Sequence, residues 1–177
     1  MTRPLDYLTG PDLASALAAA LAALERNRDA INAMNVFPVP DGDTGTNMYL
    51  TVKATWDEVA HLDQDPAGQV LAGMAHGALF NARGNSGVIL SQFFGGLARS
   101  VGEEPTVVTP MGLAQALQSA SDAAYRAVSR PVEGTMLTVM RLAAEGARRA
   151  EAQPGADVLA VLEAACWEAQ QALDQTP

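Results

Sequence analysis

The stretch NVFPVPDGDTGTNM, residues 35–48, separates two segments with helical periodicity. Pro38 and Pro40 fix φ and disfavour helix in the residues before them, so they form a stiff hinge. Asp41 and Asp43 follow, two residues apart with a glycine between them. Hydroxyl and amide side chains come next, at the expected start of a new helix. A connection that only reversed the chain would not need this combination of residues.

The two aspartates suit a hard divalent cation. Mg²⁺ prefers carboxylate oxygens and completes its shell with waters and substrate phosphates. Gly42 and Gly45 leave the backbone free to turn Asp41 and Asp43 the same way. A solvated Asp-Gly turn is the commoner explanation for the dipeptide taken alone. A calcium loop is excluded, because its twelfth position would be Val52 where a glutamate is required.

Two segments at predicted helix starts suit an anion, because backbone N–H groups at a helix N-terminus bind phosphate. The residues concerned are Thr44, Gly45, Thr46 and Asn47 in the first segment, and Gly84, Asn85, Ser86 and Gly87 in the second. Ordinary capping explains the first segment equally well, and a plain helix–helix turn explains the second better when each is taken alone. Neither is a Walker A motif, since no Gly-Lys-Ser/Thr occurs.

Hydrophobic periodicity predicts seven helices joined by short loops, and hence a single all-α domain over residues 1–177. The expected helices cover about residues 10–34, 46–61, 67–81, 88–98, 110–130, 135–153 and 159–173. A strand fits residues 88–94 equally well, but no partner strand is visible. Leu159, Leu162, Cys166, Ala169 and Leu173 are expected to form the buried stripe of the last helix.

Composition limits the partners. The net charge is −9 and Lys53 is the only lysine, so a nucleic-acid backbone is excluded as a partner. A bound polyphosphate would need arginine, backbone N–H groups or a metal. The lone Cys166 excludes an internal disulfide and suits a reducing compartment. No apolar run of about 18 residues occurs, so no membrane span is expected, and the chain is expected to be cytoplasmic.

Three motifs together resemble the nucleotide-binding domain of the dihydroxyacetone kinases. Within that group, the chain is most similar to the N-terminal domain of the bacterial fatty acid kinase A subunit. The motifs are residues 35–48, 82–92 and 131–139, and the similarity extends over about residues 10–175. The resemblance implies an antiparallel barrel of α-helices that here lacks its final, eighth helix, as the N-terminal part of a longer multidomain subunit.

The resemblance also implies a nucleotide site. ATP or ADP would sit at one end of the barrel, its phosphates bridged to the protein by two Mg²⁺ ions. The implied metal ligands are Asp41, Asp43 and, in place of a third aspartate, Asn35. Thr44–Asn47 and Asn85–Gly87 would contact phosphate, and Thr135 and Met136 would lie beside the adenine.

The implied reaction is transfer of a phosphoryl group to a fatty acid carboxylate, with Asp41 and Asp43 as the catalytic carboxylates. The fatty acid would be presented by a separate fatty-acid-binding protein of the DegV type. Two alternatives stay open: a dihydroxyacetone kinase subunit, and a non-catalytic helical interaction module. The missing C-terminal domains would be further partners, and the sequence does not settle whether the chain forms a homodimer.

Overall fold

The computed structural model describes residues 5–35, 40–62 and 64–174. The predicted hinge around Pro38 lies outside the described residues. Within them the chain forms seven α-helices and two very short strands, so the all-α prediction is confirmed. The elements are β1 (Leu8–Thr9), α1 (Gly10–Ala33), α2 (Thr44–Val59), α3 (Ala67–Phe80), α4 (Gly84–Val101), β2 (Val107–Val108), α5 (Pro110–Arg126), α6 (Met136–Glu151) and α7 (Val158–Asp174).

Each helix packs against the next one in the chain, and short connections make neighbours antiparallel. The connections therefore alternate between the two ends of the bundle. At one end, β1 pairs with β2, the N–H of Ala67 donates to the carbonyl of Thr106 (3.1 Å), and that of Val158 donates to the carbonyl of Leu5 (2.8 Å). The ends of α1, α3 and α5 and the starts of α2, α4 and α6 share the opposite end.

The core is built from small and branched residues. Val59, Val70, Val158 and Val161 are fully buried and belong to one continuous cluster. Glycine and alanine let the helix backbones approach closely: a Cβ built on Gly96 of α4 would lie 2.4 Å from the Cα of Ala120 in α5. The alanine-rich composition is therefore used for close helix packing.

One helix boundary needs correction. α4 begins at Gly84, four residues before the expected start, so residues 84–87 form its first turn and not a loop. The strand alternative for residues 88–94 is wrong. The short β1–β2 pair, which the hydrophobic pattern does not indicate, joins the start of α1 to the segment before α5.

The predicted buried stripe of α7 is wrong by one position. Val158, Val161, Ala165 and Ala172 are the buried residues, whereas Cys166 is exposed and Leu173 is 52% exposed. α7 is apolar on two adjacent stripes, and the tighter interface selects the smaller side chains. A Cβ on Gly146 of α6 would lie only 2.7 Å from the carbonyl oxygen of Ala164, which shows how closely the two backbones approach.

No helix in the described part of the chain is both long and apolar enough to cross a membrane.

Adjacent glycines in α4 provide a test of the close packing. Gly96→Ala would press a methyl group into the backbone of α5, so we expect a loss of about 1–3 kcal/mol in unfolding free energy. A Cβ on Gly95 meets only the flexible end of the Arg99 side chain, at 2.9 Å. Gly95→Ala should therefore be neutral, or stabilising by up to about 1 kcal/mol through helix propensity. Urea denaturation of both variants decides, and equal effects would contradict the packing described.

Candidate functional site

The starts of α2, α4 and α6 lie at the same end of the bundle, because the three connections that precede them share that end. These starts contain the three sequence motifs. Each helix N-terminus carries a partial positive charge from the aligned peptide dipoles. This end therefore concentrates N–H groups suited to an anion.

The start of α2 is fixed against the last turn of α1 by one amide side chain. The Asn32 Oδ1 accepts from the backbone N–H of Thr46 (3.0 Å), and its Nδ2 donates to the Thr46 hydroxyl (3.0 Å). Gly45 makes this approach sterically possible, since a Cβ there would lie 2.2 Å from the carbonyl oxygen of Arg28. The position of the Thr44–Asn47 turn is thus set by α1.

A buried hydroxyl joins α2 to the start of α4. Thr51 is fully buried; its Oγ1 donates to the carbonyl of Asn47 (2.8 Å) and accepts from the N–H of Arg83 (3.0 Å). Gly84, at φ +59°, lies so close to Asn47 that a Cβ would be 2.3 Å from its Nδ2. The structure therefore brings the Thr44–Asn47 and Gly84–Gly87 segments together.

The side chains at the first turns of these two helices add to that junction. The buried Ser86 Oγ donates to the carbonyl of Thr44 at 3.5 Å. Gly87 lies against Thr51, where a Cβ would be 2.5 Å from its Oγ1. Asn85 is exposed at the surface beside them. Small residues thus keep the two helix starts in contact.

α2 and α4, like α3, lack the side-chain cap that is found at the starts of α1, α5 and α6. Thr9, Thr109 and Thr135 cap α1, α5 and α6 with side-chain hydrogen bonds. The N-cap residues of α2 and α4, Asp43 and Arg83, make no such bond. No N-cap side chain satisfies the first N–H groups of these two helices. Apart from the N–H of Thr46, which donates to Asn32, such groups can bind water or an external anion.

The two aspartates are exposed beside the start of α2. The Nδ2 of Asn35 donates to the Oδ1 of Asp41 (2.7 Å), so the amide and the first carboxylate are in direct contact. Asp43 lies at the N-cap position of α2. Over the described ranges no group of three His, Cys, Asp or Glu residues could hold a metal. A cation here would need ligands from amide, water or phosphate oxygens as well.

The third motif is at the start of α6. The Thr135 hydroxyl donates to the carbonyl of Val132 (2.8 Å) and accepts from the N–H of Leu137 (3.3 Å). Met136 is half-buried against the core. The hydrogen bonds of this segment run to α5 and α6 and not to the starts of α2 and α4. The start of α6 lies at the same end of the bundle as the starts of α2 and α4, but it is not joined to them as they are joined to each other.

Comparison with known proteins now gives the family. The DAK2 domain matches residues 38–177. Protein YloV of Bacillus subtilis is 44% identical over 170 residues, which are 96% of this chain and 30% of YloV. An uncharacterized protein of Staphylococcus haemolyticus is 42% identical, and one of Staphylococcus aureus strain USA300 is 40% identical, each over 154 residues.

The chain belongs to the DAK2 domain family. This family is related to the nucleotide-binding subunits of dihydroxyacetone kinases, so the domain is a kinase-related module. The chain spans about 30% of the length of the curated relatives that it matches. Asp41, Asp43 and the starts of α2, α4 and α6 all fall inside the matched residues, whereas Asn35 lies just before them.

Four residues that organise the site in this DAK2 domain could not be identified from the sequence: Asn32, Thr51, Tyr125 and Arg141. None of the four belongs to the three sequence motifs at residues 35–48, 82–92 and 131–139. Their roles depend on contacts between helices that periodicity alone does not reveal. The one signal in the sequence is the spacing of Thr51 and Thr55, which lie four residues apart. Both residues are buried in the structure.

The clearest electrostatic feature is Glu133, in the connection before α6. Hydrogen bonds from Thr138, Arg141 and Tyr125 hold its pKa at about 2, well below the ordinary 4.5. The same contacts raise the pKa of Arg141, the bond to Tyr125 first and that to Glu133 next. Burial raises the pKa of Tyr125. At neutral pH the carboxylate and the guanidinium are therefore both charged.

Two surface grooves lie away from the three helix starts. One, of about 550 Å³, runs between α3 and α4 past His76, Leu79 and Arg99; the other, of about 530 Å³, runs between α6 and α7 past Trp167. Neither is lined by Asp41, Asp43 or the first turns of α2, α4 and α6.

Substitution of Thr51 tests the junction of α2 and α4. Thr51→Val removes the acceptor for the partly buried N–H of Arg83, so we expect a loss of about 1–3 kcal/mol in unfolding free energy. Thr55 is also fully buried, but its hydroxyl only donates to the carbonyl of Thr51 (2.9 Å). Thr55→Val should stay within about 1 kcal/mol of the wild type. Chemical denaturation compares the two, and equal losses would contradict a specific role for Thr51.

The low pKa of Glu133 predicts that the stability of the folded chain depends on pH. Its pKa is lowered on folding, so its contribution to stability is complete above the ordinary value of 4.5 and is lost as the pH falls toward about 2. The side chain is 61% exposed, so the contribution is under about 1 kcal/mol. Thermal unfolding of wild type and Glu133→Gln should show a gap that closes across this acidic window. A gap independent of pH would refute the assignment.

Proposed function

We propose that this DAK2 domain binds Mg²⁺–ATP at the shared start of α2 and α4 and acts as the kinase domain of a fatty acid kinase. The observation that carries the proposal is the pairing of two helix starts whose own N-cap residues make no capping bond, joined through Thr51, beside the exposed carboxylates of Asp41 and Asp43. An anion site next to a cation site is the arrangement that a metal–polyphosphate complex requires.

Charge supports a metal at this site. The chain carries −9, and its only lysine, Lys53, is paired with Asp57 at 2.6 Å. A triphosphate therefore needs another source of positive charge. Asp41 and Asp43, with the Asn35 amide beside them, would hold Mg²⁺, and two ions are proposed. When bound, Mg²⁺ would neutralise the phosphate oxygens during transfer.

The other proposed contacts to the nucleotide come from the starts of three helices. The N–H groups and hydroxyls of Thr44–Asn47 and Asn85–Gly87 would position the phosphates. Thr135 and Met136, at the start of α6, would lie beside the adenine. Phosphoryl transfer depends chiefly on such positioning and on charge stabilisation, so it needs few further groups from the protein.

The proposed acceptor is a fatty acid carboxylate presented by a fatty-acid-binding protein of the DegV type, giving an acyl phosphate. A carboxylate is already ionised at neutral pH, so the reaction needs no general base. This agrees with the positions of the histidines: His61 lies beyond the end of α2, and the Nδ1 of His76 lies 3.1 Å from the Glu58 Oε1 on the outer surface.

Dihydroxyacetone phosphorylation is the second candidate, and membership of the DAK2 family favours it. The resemblance places a histidine in those kinases where this chain has Thr44, and an aspartate where it has Asn35. Both differences favour the carboxylate acceptor. Incubation of the domain with ATP and either acceptor on its binding protein separates the two, since only the true acceptor should yield ADP.

Substitution of the aspartates tests the metal site directly. Asp41→Asn and Asp43→Asn each remove one charged ligand, so we expect the affinity for ATP in Mg²⁺ to fall at least about tenfold, or about 1.4 kcal/mol. Asp57→Asn is the matched control, because Asp57 is an exposed aspartate near the C-terminal end of α2, where it pairs with Lys53. Isothermal titration measures all four proteins. No binding by the wild type, or an equal loss in the control, would refute the proposal.

A further inference from the structure

One exposed carboxylate fixes the connection between α5 and α6. The Oε1 of Glu133 accepts from the Tyr125 hydroxyl at 2.8 Å. Its Oε2 accepts from the Thr138 hydroxyl at 2.7 Å and from the Arg141 guanidinium at 3.0 Å. Glu133 thus connects the last turn of α5 with the first two turns of α6.

The network continues into the backbone immediately before α6. The Thr138 hydroxyl also accepts from the N–H of Gly134 (2.8 Å), so both of its hydrogen-bonding roles are used. Gly134 has φ +76°, a conformation that side-chain-bearing residues rarely adopt. Thr135, the next residue, caps α6. The position of the α6 start is therefore set by Glu133 and its partners.

This network contributes little to the stability of the bundle as a whole. The side chains of Glu133 and Arg141 are 61% and 37% exposed, and exposed ion pairs are typically worth about 0–1 kcal/mol. Neither residue belongs to the buried core cluster. Three hydrogen bonds to one surface carboxylate are well suited to restricting a local conformation. The segment that they restrict is the end of the 127–135 connection, at the same end of the bundle as Asp41 and Asp43.

We propose that Glu133 and Arg141 are positioning residues for the nucleotide base: they hold Thr135 and Met136 in place without touching the nucleotide. This inference rests on the proposed function, which puts the base at the α6 start. The phosphate segments are fixed by other residues, Asn32 and Thr51, through hydrogen bonds that Glu133 does not share. Loss of the network should therefore weaken recognition of the base and spare recognition of the phosphates.

The test compares Mg²⁺–ATP with Mg²⁺–tripolyphosphate, which has the phosphates but no base, by isothermal titration of the 177-residue chain. If Glu133→Ala or Arg141→Met leaves the α6 start correctly placed for about a tenth of the time, the apparent dissociation constant for ATP rises about tenfold. The constant for tripolyphosphate should not change. Glu145→Gln is the matched control, because Glu145 accepts from the Arg141 Nη1 (2.8 Å) but contacts nothing in the connection.

Each outcome has a distinct meaning. An ATP-specific loss in Glu133→Ala and Arg141→Met, absent from Glu145→Gln, supports the inference. Equal losses for both ligands, or no loss for either, overturn it. If wild type binds tripolyphosphate as tightly as ATP, the base is not recognised and the inference fails, while the phosphate site stands. If wild type binds neither ligand, the proposed function fails as well. Should Glu133→Ala not fold, the isosteric Glu133→Gln decides by the same comparison.

Discussion

The contact between the starts of α2 and α4 is the constraint on which the site depends. A single buried hydroxyl, that of Thr51, accepts the N–H of Arg83 and donates to the carbonyl of Asn47. Glycine at position 84 permits the approach, because a Cβ would collide with the Asn47 side chain. Without this contact, two motifs almost 40 residues apart would be separate helix starts. With it, they form one surface of backbone N–H groups.

Close packing elsewhere in the bundle also keeps the helix starts in position. Antiparallel helices joined by short connections bring every second connection to one end, and glycine and alanine at the interfaces hold the helices near one another. The opposite end is closed by the β1–β2 pair and by the bond from Val158 to Leu5. The fold thus closes one end of the bundle, whereas the three sequence motifs lie at the other end.

The helix content and the order of the helices could be predicted from the sequence, because they depend on local periodicity. The buried stripe of α7 could not, since two apolar stripes lie side by side and only the proximity of α6 selects between them. The candidate motifs could also be named in advance. The side chains that position them, Asn32, Thr51 and Glu133, act through contacts between helices and became apparent only in the structure.

Backbone amide resonances report most directly on whether the paired starts of α2 and α4 bind the phosphates. The measurement is a titration of the ¹⁵N-labelled chain with Mg²⁺–ATP, with and without chelation of the metal. If the phosphates bind there, the resonances of the N–H groups of Thr44, Gly45, Asn85 and Ser86 should shift in a Mg²⁺-dependent manner. Shifts confined to the groove between α3 and α4, or no metal-dependent shift at these four amides, would contradict phosphate binding there.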